Sequence, residues 1–179
     1  MQFKKCKLKD VVLVQPKRHA DDRGYFSEIF RRDLFTEQGI ADEFVQSNES
    51  VSQQGTLRGL HFQIPPKAQA KLVQVVDGSI CDVIVDIRED SPTFKLWEAF
   101  DLSAVNGEIL YVPKGFAHGF LALSETVKVL YHVSEYYSPE HESGIAWDDP
   151  DLNIEWPKLD VDYIFSPKDM HYGLLKEVI

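Results

Sequence analysis

The stretch Gly107-Glu108-Ile109-Leu110-Tyr111-Val112-Pro113-Lys114-Gly115-Phe116-Ala117-His118 decides the fold. Ile109 to Val112 is a short apolar run, which reads as a buried strand. Pro113-Lys114-Gly115 then makes a tight turn, because proline pre-sets φ and glycine reaches conformations closed to other residues. The turn delivers His118 to the start of a further strand, near 118–122.

Outward from this stretch, more short strands are separated by turn signals. They are predicted near 11–15, 44–52, 57–63, 97–102 and 127–136. Lys71 to Val76 runs into Asp77-Gly78 and then Ser79 to Ile87, which predicts a hairpin. In its second strand Ile80, Asp82, Ile84 and Asp86 share one face, and Cys81, Val83, Val85 and Ile87 the other. Such a chain favours a sandwich or barrel. Helix signals are few. Arg32 to Gln38 makes about two turns with Gly39 as the stop, and Ser166-Pro167-Lys168-Asp169 resembles a helix start that Gly173 could end. The stretch 139–160 is rich in Pro, Asp and Glu and reads as a loop covering one side of the sheets.

The chain has 179 residues, 44% of them hydrophobic, so one domain spanning 1–179 can bury its own core. Lys plus Arg number 19 against 29 Asp plus Glu, a net charge of −10, which argues against nucleic acid and anionic membranes as partners. Cys6 and Cys81 form neither a disulfide framework nor a metal pattern. With no signal peptide and no apolar run near the ~18 residues of a membrane span, a cytoplasmic protein is expected.

Two segments carry chemistry. Gln46 to Ser52 is polar on both faces, so it lines a wet cavity or lies on a sheet edge. In Gly55-Thr56-Leu57-Arg58-Gly59-Leu60-His61-Phe62-Gln63, alternation places Leu57, Gly59, His61 and Gln63 together, and Arg58, Leu60 and Phe62 opposite, unless Gly59 marks a bulge. A lone strand histidine is more often a packed residue than a catalyst. Lys71, beginning the next strand, raises its interest: the two on adjacent strands could face one cavity.

The stretch 107–118 resembles the second motif of the cupin superfamily, although Ala122 stands where that motif ends in Asn. The first motif would run from Gly55 to His61. Gln63 replaces its second histidine, and Ala68-Gln69-Ala70-Lys71 lacks its glutamate. Two histidines alone make a weak metal site. The expectation is a cupin-type double-stranded β-helix, mainly β with a few short helices, holding no metal and keeping its histidines for acid–base work.

Further motifs narrow this. Asp22-Arg23-Gly24-Tyr25-Phe26-Ser27-Glu28, Leu57 to Gln63, Ala68 to Val73, Pro113 to Phe120, Tyr136-Tyr137-Ser138-Pro139, Trp147-Asp148-Asp149-Pro150 and Glu155-Trp156-Pro157 occur in order. Together, over about 10–170, they resemble the dTDP-4-dehydrorhamnose 3,5-epimerase family, metal-free cupins of dTDP-L-rhamnose biosynthesis. The resemblance implies an isomerase that inverts C3 and C5 of dTDP-4-dehydro-6-deoxy-D-glucose beside its C4 ketone, without a cofactor. It implies His61 as general base, Asp169 as the carboxylate orienting it, Lys71 as the cation at the enolate oxygen and Tyr131 as general acid. By local sequence alone Tyr131 reads as a packed strand residue and Asp169 as a helix N-terminal residue. Arg23, Glu28, Gln46, Asn48, Arg58, His118, Glu142 and Lys168 match substrate-contacting positions, and Tyr136 or Tyr137 could stack on thymine. The resemblance also implies a homodimer in which the Arg23–Glu28 segment serves the neighbouring chain. Two other readings share these motifs: an epimerase acting at C3 or C5 only, and a non-catalytic cupin that binds sugar nucleotides.

Overall fold

A computed structural model describes all 179 residues. Its strands are β1 (Gln2–Lys5), β2 (Val12–Gln15), β3 (Arg18–Asp21), β4 (Gly24–Ser27), β5 (Gln46–Gln53), β6 (Leu57–Gln63), β7 (Lys71–Asp77), β8 (Ser79–Asp86), β9 (Trp97–Ser103), β10 (Ile109–Val112), β11 (Phe116–Ala122), β12 (Thr126–Val133) and β13 (Glu142–Gly144). Two short helices complete it, α1 (Arg32–Glu37) and α2 (Leu175–Val178). One sheet runs β1-β2-β10-β7-β12-β5, the other β13-β6-β11-β8-β9, and β3 pairs only with β4.

The sheets enclose a core of Val73, Val75, Ile80, Ile84, Leu102, Leu110, Phe120, Val127 and Val129. Each such side chain contributes ~1.5–3 kcal/mol by leaving water. The outer face of the five-stranded sheet is also apolar, through Leu57, Leu60, Cys81, Val83 and Val85. The chain after β13 covers it with Ile145, Leu152, Trp156 and Leu175. The predicted loop 139–160 covers one side from Ile145 onward, but its Glu142–Gly144 is a strand of the sheet itself, β13. The expected alternation along β8 also holds, with Ile80 and Ile84 inward and Cys81, Val83 and Val85 outward. On the six-stranded sheet, Phe35 of α1 and Ile40 pack on Val12, Val14, Leu72, Ile109 and Tyr111.

Three other expectations need correction. Lys71–Asp77 and Ser79–Asp86 are strands, but they do not form a hairpin. β7 pairs with β10 and β12, whereas β8 pairs with β11 and β9. Asp77-Gly78 instead carries the chain from one sheet to the other. Gly78 sits at φ +76°, where a Cβ would lie 2.4 Å from the Thr126 carbonyl oxygen. Both strands are apolar enough for two sheets, so local sequence could not name their partners. Ser166 to Asp169 forms a turn and no helix. Its cap bond is present, Asp169 N–H to Ser166 Oγ at 3.2 Å, but a single capped turn is a costly nucleus that does not propagate by itself. Finally, the strands of His61 and Lys71 are not neighbours. They belong to opposite sheets and face each other across the barrel.

Candidate active site

Gly59 does mark a bulge. His61 pairs with His118 and Arg58 with Phe120, so two residues of β6 stand against one of β11. Gly59 adopts φ +125°, and a Cβ there would lie 2.5 Å from the Gly119 Cα. The bulge resets the alternation. Leu57 and Leu60 both enter the outer core, while Arg58 and His61 both line the cavity.

His61 Nε2 lies 2.6 Å from Asp169 Oδ1. The same oxygen accepts the Gly59 N–H at 3.3 Å, and Oδ2 accepts the Ser166 hydroxyl at 2.7 Å. Burial opposes charge on Asp169, yet the hydrogen bonds from His61, Ser166 and Gly59 hold its carboxyl down at about 2. A carboxylate at that position fixes the tautomer: Nε2 carries the hydrogen and Nδ1 keeps a lone pair.

Lys71 begins β7 in the opposing sheet, and its ammonium donates to the His61 carbonyl oxygen at 3.5 Å. Burial pulls its pKa down to about 8, and Asp82 and Glu142 limit the fall. Tyr131 on β12 lies opposite Asn48 of β5 and Val73 of β7. Burial raises its phenol, against the pull of Arg58. His118 forms a second pair, its Nε2 2.8 Å from Oδ2 of the wholly buried Asp82. Burial lowers the His118 pKa despite that carboxylate, so the ring stays neutral and donates its Nε2–H to Asp82. Asp82 Oδ1 is buried without a partner.

These groups border two connected hollows. His61, Lys71 and Tyr131 line both. The inner one, about 180 Å³, adds Arg58, His118 and Ser50. The outer one, about 260 Å³, adds Gln46, Asn48, Tyr137 and Glu142. The all-polar segment satisfies both of its readings: β5 is a sheet edge, and Gln46 and Asn48 point the same way into the cavity, joined by a 2.8 Å bond. Arg58 is held by Ser52 Oγ at 3.0 Å and the Val51 carbonyl at 3.1 Å. Glu142 accepts the Tyr137 hydroxyl at 2.6 Å and pairs with Lys168.

Arg23 and Glu28 line neither hollow of this chain. Arg23 is on the β3–β4 hairpin, its side chain 90% exposed and paired with Asp21. Glu28 follows that hairpin, 3.9 Å from Arg31. Three residues at the site escaped sequence reasoning: Asp82, Ser166 and Tyr172. Asp82 had a signal, an acid between isoleucines on an inward face; Ser166 was read only as a cap, and nothing singled out Tyr172. No group of three or more His, Cys, Asp or Glu is placed to hold a metal ion. No helix is long and apolar enough to cross a membrane.

The chain is similar to known proteins over nearly its whole length. The family model described as dTDP-4-dehydrorhamnose 3,5-epimerase matches residues 5–177. The chain is 47% identical over 177 residues to the protein of that name from Methanothermobacter thermautotrophicus, covering 98% of this chain and 95% of that one. The crystal structure of the Elizabethkingia anophelis dTDP-4-dehydrorhamnose 3,5-epimerase superposes with a TM-score of 0.95 at 43% identity, over 99% and 97% of the two chains. A dTDP-6-deoxy-D-glucose-3,5-epimerase from Legionella pneumophila, solved in complex with dTDP-4-keto-L-rhamnose, gives 0.94 at 43% identity, over 98% and 93%.

Proposed function

We propose a residue-by-residue mechanism from one premise: the chain belongs to the dTDP-4-dehydrorhamnose 3,5-epimerase family. It is an isomerase that inverts C3 and C5 of dTDP-4-dehydro-6-deoxy-D-glucose, giving dTDP-4-dehydro-L-rhamnose for dTDP-L-rhamnose biosynthesis. The observation that carries the mechanism is one cleft with a His–Asp pair on one wall and a lysine and a phenol on the other.

Both hydrogens to be moved flank the C4 ketone. His61 Nδ1 takes the proton from carbon, and the C–H electron pair passes into the enolate. The Lys71 ammonium stabilises the oxygen that gains charge, in a site where burial strengthens the attraction. Tyr131 returns a proton to the opposite face of the carbon from its hydroxyl, which its raised pKa keeps protonated at neutral pH. Solvent then reloads the phenol and unloads the imidazolium. The cycle repeats at the second carbon, and its proton transfers balance without a redox cofactor or a metal.

Substrate binding divides along the cleft. Neutral His118, donating to Asp82, offers Nδ1 as an acceptor to a sugar hydroxyl, and Arg58 faces the diphosphate. Gln46, Asn48, Glu142 and Lys168 form the outer, nucleotide end, where Tyr137 rather than Tyr136 lines the cavity and can stack on thymine. Arg23 and Glu28 complete the nucleotide site of the other chain in a homodimer. Residues 1–179 act as one cytoplasmic domain.

Exchange in D₂O tests the assignment. With dTDP-4-dehydro-6-deoxyglucose, proton NMR shows loss of both the C3 and C5 signals. Loss of one signal identifies a single-centre epimerase. Retention of both, with binding, reduces the protein to a binding module.

A further inference from the structure

We propose that Tyr172 is a positioning residue for His61, acting through the imidazole and not on the substrate. The proposal rests on His61 being the base. The two rings meet edge to face, with centroids 5.5 Å apart and planes at 66°. Tyr172 lines neither hollow.

The packing is built by three elements. Gly144 of β13 stands directly opposite His61 of β6. The Tyr172 ring lies over it, so that a Cβ on Gly144 would sit 2.6 Å from the ring's Cε1 and Cζ. Gly144 does not adopt the left-handed region, so the backbone does not require glycine there; the tyrosine ring does. Three residues before Tyr172, the same turn supplies Asp169. The segment thus applies two different constraints. Asp169 holds Nε2 by one hydrogen bond, about which an imidazole can still pivot. Packing against the Tyr172 ring removes that freedom and holds Nδ1 toward the reacting carbon.

The hydroxyl of Tyr172 does not share this role. It is buried without a hydrogen-bond partner. Burial, and then Glu142, raise it to about 12 against the pull of Lys168, so it stays protonated at working pH, and it lines neither hollow where a proton is moved. The ring is what the site uses.

The test compares kcat and KM for Tyr172→Phe, Tyr172→Ala, Gly144→Ala and the double variant Gly144→Ala/Tyr172→Ala, with His61→Ala as reference. Tyr172→Phe stays within about twofold of the wild type. Tyr172→Ala loses about tenfold or more in kcat at nearly constant KM, in line with the cost of a misplaced reacting group. Gly144→Ala does the same by displacing the ring, and the double variant falls no lower than either single one. In proton NMR the His61 Nε2–H resonance persists in Tyr172→Phe and broadens in Tyr172→Ala. Wild-type kcat in a folded Tyr172→Ala overturns the proposal, as does a Tyr172→Phe that loses as much as the alanine. Should Tyr172→Ala not fold, wild-type kcat in Gly144→Ala overturns it. Activity retained by His61→Ala would instead overturn the reading of the base, a separate failure.

Discussion

At the scale of single residues, Lys71 shows how the site sets function against stability. Its ammonium must be charged to meet an enolate, yet burial lowers its pKa to about 8. In free enzyme the charge is therefore lost as pH rises through about 8, and kcat/KM, which reports free-enzyme groups, falls over that range. A kcat/KM flat to pH 10 removes Lys71 from this role. The linkage to folding has the opposite sign. Between about 8 and the ordinary lysine value of 10.5, the unfolded chain holds a proton that the folded chain has released, so this residue makes stability rise with pH. Lys71→Met should thus unfold at no lower denaturant concentration than the wild type, while losing roughly 10²–10³ in kcat, the usual value of one group at a developing oxyanion. His61→Ala should lose roughly 10²–10⁴, the range for one acid–base group. Substrate turnover by either variant at wild-type rates contradicts its assignment.

At the scale of elements, the clearest polar brace lies away from the cleft, where β8 ends. Asp86 is wholly buried and takes bonds from Arg88 Nη2 at 2.7 Å, Ser91 Oγ at 2.5 Å and Thr93 Oγ1 at 2.6 Å. Arg88 also reaches Asp10 at 2.9 Å and stacks on Phe116, tying the β8–β9 connection to the β1–β2 loop. Arg88→Ala would leave a buried carboxylate without its cation and should cost about 3 kcal/mol or more, read by equilibrium denaturation with the D₂O exchange activity of the folded fraction preserved. Arg88→Lys should not restore it, because an ammonium cannot make the two-pronged contact. An unchanged denaturation midpoint would show that the brace is decorative. This network was invisible in sequence, as was the pairing of most strands. Apolar runs, alternation and turn residues located β6 to β12 within a few residues, because those signals are local to each strand, and β5 stood out by its polarity instead. Their partners are non-local, so Asp77-Gly78 read as a hairpin when it is a corner between sheets. The same limit applies to the site. The bulge at Gly59 was open as an alternative, but only the pairing of β6 with β11 shows that it turns Arg58 and His61 to one side. Asp169, distant in sequence from His61, was assigned only through resemblance to a family, and Tyr172 had no signal, since its meaning depends on a glycine in another strand.

At the scale of the whole molecule, the β3–β4 hairpin needs a reason. It pairs with neither sheet, and it exposes Tyr25 at 58% and Phe26 at 72%. Nearby Ile29 and Phe30 are exposed as well. A chain of net charge −10 that binds a dianionic diphosphate must also gather cations at its site, yet Arg23 stands on this hairpin facing solvent. The proposed homodimer would account for both points, a second copy covering the aromatic rings and receiving Arg23 at its own cleft. Sedimentation should accordingly report a dimer, and Phe26→Asp should shift it toward monomer. Mixing separates this from an Arg23 that serves its own chain. His61→Ala and Arg23→Glu are each expected to be nearly inactive as homodimers. After unfolding and co-refolding in equal amounts, half of the dimers are mixed. If Arg23 acts in the neighbouring site, each mixed dimer has one site with both residues intact, and activity returns to roughly one quarter of the wild type. If Arg23 acts within its own chain, no site in the mixture is intact, and activity stays at the level of the two variants alone.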